Sequence, residues 1–312
     1  MRILFLGTPD FAVHALSAIL DSGFDVVGVV TQPDRKRNRG EESFCPVKAY
    51  AIERGINVYQ YESIRKEGVD DVKRINPDIM VTCAFGQIIS QEILDIPKYG
   101  VINIHASLLP KYRGSSPIQW CLVNGEMQTG ITIMRTALAV DSGDILLQKT
   151  LDVLPEENAG ELFDRLAGLG GKSIVEALKL IADGKAVYTP QDEKSATHYP
   201  MINKEDGRID WSQSAISIFN KMRGFTPWPS AYTYLDGKMF KISKCKVGES
   251  KEVIDTMKDY AIGEVYATKN CGFVKTGDGI IELLQVQIEG KKSMDIVSFL
   301  TGGKLKSGVI LG

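Results

Sequence analysis

The chain has 312 residues, 44% of them hydrophobic and 24% charged, and its formal net charge is -2. At roughly 100–200 residues per domain this length suits about two domains. The apolar content is too high and the net charge too low for a disordered chain; Gly has no three-residue period and no heptads are sustained, which excludes collagen-like and coiled-coil rods.

The charge is uneven. From Lys204 onward, 16 Lys and Arg stand against 13 Asp and Glu, an excess of +3, and the rest carries -5. A mildly basic tail suits a partly polyanionic partner, although ordinary surface scatter gives the same figure. The cysteines Cys45, Cys83, Cys121, Cys245 and Cys271 are odd in number and widely spaced, with no C-x-x-C. They read as neither a disulfide framework nor a zinc site, and no metal is expected. The apolar start Met1–Gly7 is too short for a signal peptide, and no run approaches the ~18 apolar residues of a spanning helix. A cytoplasmic protein without membrane contact is expected.

In chain order, Ile3–Leu6 reads as a buried strand. Phe11–Ser22 has helical spacing and stops at Gly23. Val26–Val30 is a second strand, and Pro46–Glu53 a helix opened by proline. Asp78–Ala84, Val101–His105, Ile131–Met134 and Ile145–Leu147 are further apolar runs. Alternation of such runs with amphipathic helices predicts an α/β, Rossmann-like, mostly parallel sheet with helices on both faces. Glu161–Asp183 reads as a helix pair broken near Gly168–Gly171. From Pro190 the chain is polar and irregular, which reads as a linker. Trp211–Arg223 is one more helix. Beyond Ala231 come short strands with turn signals such as Asp236-Gly237 and Gly277-Asp278-Gly279, which predict a small antiparallel, OB-like barrel. The expected division is 1–189, a linker over 190–207, and 208–312.

Sites on α/β sheets lie past the carboxyl ends of the strands. The first turn, Gly7-Thr8-Pro9-Asp10-Phe11, is no G-x-G-x-x-G, and no Walker-type loop exists, so nothing supports a nicotinamide or ATP site. The most informative strand end is Asn103-Ile104-His105-Ala106-Ser107-Leu108-Leu109-Pro110. Strand alternation puts Asn103 and His105 on one side. A lone histidine in such a place is more often a core residue satisfied by a backbone carbonyl. His14 and His198 are worse placed, in a helix and in the polar stretch. Asp141, in Val140-Asp141-Ser142-Gly143-Asp144, lies in a turn after the Ile131–Met134 strand. It means little alone, because Asp-Ser-Gly is common turn chemistry, and gains weight only if it meets His105.

Asn-x-His followed by Ser107–Gly114 (Ser-Leu-Leu-Pro-Lys-Tyr-Arg-Gly), then Pro117-Ile118 and Asp141-Ser142-Gly143-Asp144, resembles the folate-dependent formyltransferase family. Gly7–Ala12, Thr31–Arg35, Arg39-Gly40, Pro46-Val47-Lys48, Arg208–Trp211, Pro227-Trp228-Pro229, Thr276–Gly279 and Gly290–Met294 look like the members that act on methionyl-tRNA. The likeness covers the whole chain. Two stretches depart from the family pattern. Glu41-Glu42 stand where lysines are usual, and Ala137-Leu138-Ala139-Val140 lacks an acid and a glycine.

The resemblance implies formyl transfer from 10-formyltetrahydrofolate to the α-amino group of methionyl initiator tRNA. Asn103, His105 and Asp141 would be the catalytic residues. Phe85, Gly86, Gln87, Ile88, Ser107, Leu108, Leu109, Pro110 and Val140 would lie against the folate. Arg35, Lys36, Arg37 and Arg39 would reach the acceptor end of the tRNA. Lys244 and Lys246, two apart on one strand, share a face that suits phosphate, whereas Lys241 falls on the opposite face unless a bulge intervenes. A monomer is expected. Transfer to a sugar amine and a non-catalytic RNA-binding barrel are the rival readings. The basic loop and tail argue against the first, and the Asn103, His105, Asp141 set against the second.

Overall fold

The computed structural model describes residues 1–34 and 44–312. Two compact units divide the chain. One comprises Met1–Pro117, Gln128–Asp152 and Phe163–Tyr199; the other comprises Ile118–Met127, Val153–Leu162 and Pro200–Gly312.

The first unit starts with β1 (Arg2–Gly7), α1 (Asp10–Asp21), β2 (Asp25–Thr31), α2 (Pro46–Glu53) and β3 (Val58–Gln60). Then come α3 (Ile64–Glu67), α4 (Val69–Ile75), β4 (Ile79–Cys83), α5 (Gln91–Leu94), β5 (Val101–His105) and the short β6 (Arg113–Gly114). After α6 (Pro117–Val123) follow β7 (Gln128–Arg135), β8 (Ile145–Asp152), the long α7 (Ala159–Ala182) and the short β9 (His198–Tyr199). The sheet order is β3-β2-β1-β4-β5-β7-β8. Pairing is parallel from β3 through β5. It turns antiparallel at β7 and β8.

β4 is buried at every residue and β1 at all but its first. Central parallel strands are covered on both faces and so lose their polar–apolar alternation. On one face Leu4, Leu6, Val30, Met80 and Val101 pack with Ile64, Val72, Ile75 and Ile93 of α3, α4 and α5. Each such side chain contributes about 1.5–3 kcal/mol when fully buried. On the other face lies α7, where Gly170 sits against Ile104, Ile131 and Phe11.

α7 is one helix of 24 residues, so the break expected near Gly168–Gly171 does not occur. Those glycines serve packing instead. A Cβ at Gly171 would come within 3.1 Å of both the Ala18 side chain and the His14 carbonyl. Close approach of α1 offsets the roughly 1 kcal/mol that each helical Gly costs against Ala.

The second unit holds α8 (Ala215–Gly224), β10 (Ala231–Leu235), β11 (Lys238–Val247), α9 (Lys251–Thr256), β12 (Val265–Ala267), β13 (Gly272–Lys275), β14 (Ile280–Ile288), β15 (Met294–Asp295) and α10 (Ile296–Thr301). Its sheet runs β10-β11-β14-β13-β12, antiparallel throughout, with β15 on β14. The segment 308–312 holds both outer strands. The Val265 N–H donates to the Val309 carbonyl at 2.8 Å, and the Leu311 N–H to Gly263 at 2.9 Å. The Gly312 N–H reaches the Tyr234 carbonyl of β10 at 3.2 Å.

The helix expected from Trp211 begins only at Ala215. Ser214 caps it by accepting from the Ser217 N–H. Upstream, the Asp210 carboxylate takes up the Ser212 N–H and hydroxyl and the Gln213 amide, a local turn that competes with helix. Trp211 is buried in the core of this unit and donates its indole N–H to Thr233.

Candidate active site

Asn103 and His105 occupy the last turn of pleat in β5, on one side of the strand, as alternation requires. Thr82 on the neighbouring β4 pairs with Asn103 and donates its hydroxyl to the Asn103 Oδ1 at 2.7 Å. The same hydroxyl lies 3.3 Å from the Ile102 carbonyl, and it is the oxygen end of the amide that faces Thr82. The Nδ2 hydrogens then have no partner among the described residues and stay available to an acceptor.

His105 is 5% exposed. Its Nε2 lies 2.8 Å from the Tyr112 carbonyl, which can only accept, so Nε2 carries the hydrogen. The bland expectation of a carbonyl-satisfied histidine is therefore met at one nitrogen. The other nitrogen faces Asp141, with Nδ1 and Oδ2 3.6 Å apart. At that distance the carboxylate faces the ring edge and can orient it. The same Oδ2 accepts the Gly114 N–H at 2.9 Å. Asp141 thus meets His105, the condition the sequence set for giving it weight.

Tyr112 was not singled out from sequence. Its φ of +63° turns its carbonyl toward the imidazole. Its N–H donates to the Thr197 hydroxyl at 2.8 Å, and its ring stacks on Tyr199 at 4.9 Å. Gly114 is required by the next turn of chain. Its φ is +110°, and a Cβ would run into the Tyr199 carbonyl. Gly114→Ala is expected to lower stability by about 2 kcal/mol or more, from positive φ and the forced separation of β6 from β9. A thermal or urea melt checks it, and a wild-type midpoint would refute it.

The segment Ser107–Pro110 is held from beneath. The Thr132 hydroxyl donates to the Ser107 carbonyl at 2.7 Å and accepts the Leu109 N–H at 3.1 Å. Gln148 donates to the Leu109 carbonyl at 2.8 Å. The Ser107 hydroxyl is spent on the Lys111 carbonyl at 2.7 Å. Leu109 is buried, while Leu108 and Pro110 are half-buried.

Past β4, the Phe85 ring joins the core cluster and its carbonyl accepts from the Gln32 amide at 3.0 Å. Gly86 has φ +79°. The Gln87 side chain bridges the Ile64 N–H and the Tyr61 carbonyl. Ile88 is 65% exposed and Val140 63%. Cys83, at the end of β4, is fully buried, and burial pushes its thiol well above the ordinary range. It therefore stays protonated near neutrality and makes a poor nucleophile. Among the described residues, no three His, Cys, Asp or Glu side chains cluster as metal ligands would. Nor does any described helix have the length and apolarity to cross a membrane.

Arg35, Lys36, Arg37 and Arg39 lie outside the described residues. In β11, the register against β14 shifts between Ile242 and Cys245. Phe240, Ile242 and Cys245 are buried, so inward positions are two and then three apart. This is a β-bulge. It moves Lys241 to the outer face shared by Lys244 and Lys246, so the opposite-face expectation for Lys241 is corrected by the bulge it left open. Lys246 pairs with Glu282 at 3.2 Å.

The formyl transferase family matches residues 1–178, and the formyl transferase C-terminal domain matches residues 201–304. A methionyl-tRNA formyltransferase of Agathobacter rectalis is 48% identical over 311 residues, covering 99% of this chain and 98% of the relative. That of Geobacter sulfurreducens is 45% identical, covering 100% and 97%. Among solved structures, an N-formyltransferase from Helicobacter canadensis with folinic acid and dTDP-3-aminofucose superposes with a TM-score of 0.70 at 20% identity, over 92% of this chain and all of that one. HypX from Aquifex aeolicus with tetrahydrofolic acid gives 0.62 at 20% identity, over 98% of this chain and 48% of its own. These distant neighbours share the fold. With both domains matched and full-length relatives above 40% identity, the chain belongs to the formyl transferase family.

Proposed function

We propose that the chain transfers the formyl group of 10-formyltetrahydrofolate to the α-amino group of methionine on initiator tRNA. The observation that carries the chemistry is the free amide donor of Asn103 beside the Asp141-facing nitrogen of His105, at one strand end. The folate supplies an activated formyl group. Asn103 donates a hydrogen bond to the formyl oxygen as negative charge gathers there, a contact typically worth roughly 10²–10³ in rate. The methionine amine attacks the formyl carbon. His105 takes the amine's proton at Nδ1 and gives it to the folate nitrogen that departs, and Asp141 holds the ring in place for the relay. The role needs no metal and no covalent nucleophile.

The folate-facing set is Phe85–Ile88, Ser107–Pro110 and Val140. The rigid turns at Gly86 and over 107–110 support it, because a flat ring needs backbone groups held in place. The exposure of Ile88 and Val140 supports apolar contact from their side chains. Residues 1–189 act as the catalytic domain and 208–312 as the tRNA-binding domain; of the connecting stretch 190–207, the part up to Tyr199 packs as part of the first unit. An assay on methionyl-tRNA and, separately, on a nucleotide-linked amino sugar tests the whole reading. Formylation of the sugar alone would overturn it.

The lysine face of β11 and the Arg35–Arg39 segment divide the tRNA work. Phosphate contacts release counterions, with a slope near -0.9 per duplex phosphate. Lys244→Ala is expected to flatten the salt slope by about one and weaken initiator and elongator methionyl-tRNA alike. Arg39→Ala is expected to narrow the gap between the two tRNAs, because Arg39 stands in the loop whose pattern matches the acceptor-reading element of the family. Binding at two salt concentrations reads both. A discrimination left intact by Arg39→Ala, with only a flatter slope, would make that segment a phosphate clamp.

A further inference from the structure

We propose that Gln191 and Arg113 are positioning residues that hold Asp141 against His105. The proposal rests on the catalytic reading of Asp141 given above. The loop after β7 is closed at its ends by the Arg135 N–H on the Asp144 carbonyl at 2.9 Å and turned within by the Ser142 hydroxyl on the Ala139 carbonyl at 2.9 Å, but its outer residues are uncovered. Residues 137–140 are exposed, with Leu138 62% and Val140 63% accessible. Asp141 itself sits at φ +52°, a backbone state that costs free energy and must be imposed by its surroundings.

Gln191 imposes it. Its Nε2 donates to the Asp141 carbonyl at 2.9 Å and to the Gly143 carbonyl at 2.7 Å. One side chain therefore grips the main chain at Asp141 and two residues beyond. Its Oε1 accepts from two nitrogens of Arg113, at 2.9 and 3.2 Å. Both hydrogens and both lone-pair directions of the amide are thus committed. A flipped amide would set oxygen against two carbonyl oxygens and hydrogens against a guanidinium, so a single orientation survives.

Arg113 anchors the amide in turn. Its side chain is only 3% exposed, and it closes a two-pronged pair with the Glu193 carboxylate at 2.7 and 2.9 Å. Hydrogen bonding to Arg113 holds the Glu193 carboxyl below its ordinary range. Arg113 is also one residue before Gly114, whose N–H binds the Asp141 carboxylate. The same short strand therefore fixes the Asp141 side chain directly and its backbone through Gln191. A Cβ on Gly143 would strike the Arg135 carbonyl, so the loop has little room to settle elsewhere.

The test measures formyl transfer from 10-formyltetrahydrofolate to methionyl-tRNA by the full chain, with Gln191→Ala, Gln191→Glu and Asp141→Asn, singly and combined. Gln191→Ala is expected to lower kcat roughly tenfold while KM for the folate stays within about a factor of two, and to add nothing in the Asp141→Asn background. Gln191→Glu keeps an acceptor for Arg113 and loses both donors, so it should match the alanine variant. Hydrogen exchange at the amides of residues 139–144 should quicken in both, which gives a readout that needs no activity. Wild-type kcat, a change confined to KM, rescue by glutamate, or losses that multiply with Asp141→Asn would each overturn the clamp. Severe loss in Asp141→Asn beside an unaffected Gln191→Ala sinks the clamp alone. An Asp141→Asn enzyme at wild-type rate sinks the reading of Asp141 and the clamp with it.

Discussion

Replacing Asn103 by Ala is expected to lower turnover by about two to three orders of magnitude with the fold intact, and His105→Ala to cost about two orders or more. The size follows from where each group points. The Asn103 amide has its oxygen engaged by Thr82, so what it offers the reaction is the nitrogen end. Removal takes away a donor that is already oriented when charge develops, which is the condition under which one hydrogen bond has its full effect. His105 offers Nδ1, since Nε2 is taken by Tyr112. Both residues lie at the end of a strand whose neighbours are paired on each side, so truncation leaves the sheet in place. The measurement is kcat with folate and methionyl-tRNA both saturating, alongside a melt. Near-wild-type turnover in either variant removes that residue from the mechanism.

The second large effect concerns Asp141. Asp141→Asn alone is expected to cost about two orders of magnitude, because the ring loses the carboxylate that faces and orients it for proton transfer. Asn at this position retains an oxygen for the Gly114 N–H, so the turn is expected to persist. Combined with His105→Ala, the loss should be scarcely larger than that of His105→Ala alone. Groups that act as one unit are not additive. The 3.6 Å separation puts the two side chains in position to be such a unit. Fully multiplicative losses would place the work of Asp141 elsewhere, in the turn that its carboxylate closes with Gly114.

The strand-end pair Asn103 and His105 was legible because side-chain parity along a strand is a matter of counting. Asp141 was legible only as a condition, since no spacing rule tells which turn folds back over which strand. Tyr112 and Gln191 were not legible. Tyr112 acts through its carbonyl, and nothing about a tyrosine announces that its φ will be positive. Gln191 lies in a polar stretch without period, where pattern carries no signal. Thr82 could have been found: a hydroxyl inside the apolar run Ile79–Cys83 must have a partner once buried, and Asn103 is the polar residue opposite. The glycines of α7 were misread because a breaker and a close contact look alike in sequence. The bulge in β11 was invisible beyond its possibility, since one extra residue reverses every parity argument downstream of it.

The segment 308–312 has a kinetic meaning. Its bond from Gly312 to Tyr234 joins positions far apart in the chain, and its bonds at Gly263 and Val265 span shorter but still long loops. Because it bonds to both outer strands, the segment can dock only once the sheet that carries them is built. Interactions absent from the folding transition state leave the folding rate alone and act on the unfolding rate. The tail is therefore a latch in time as well as in space. Shortening it should leave the small unit refolding as quickly as before, and let it come apart sooner.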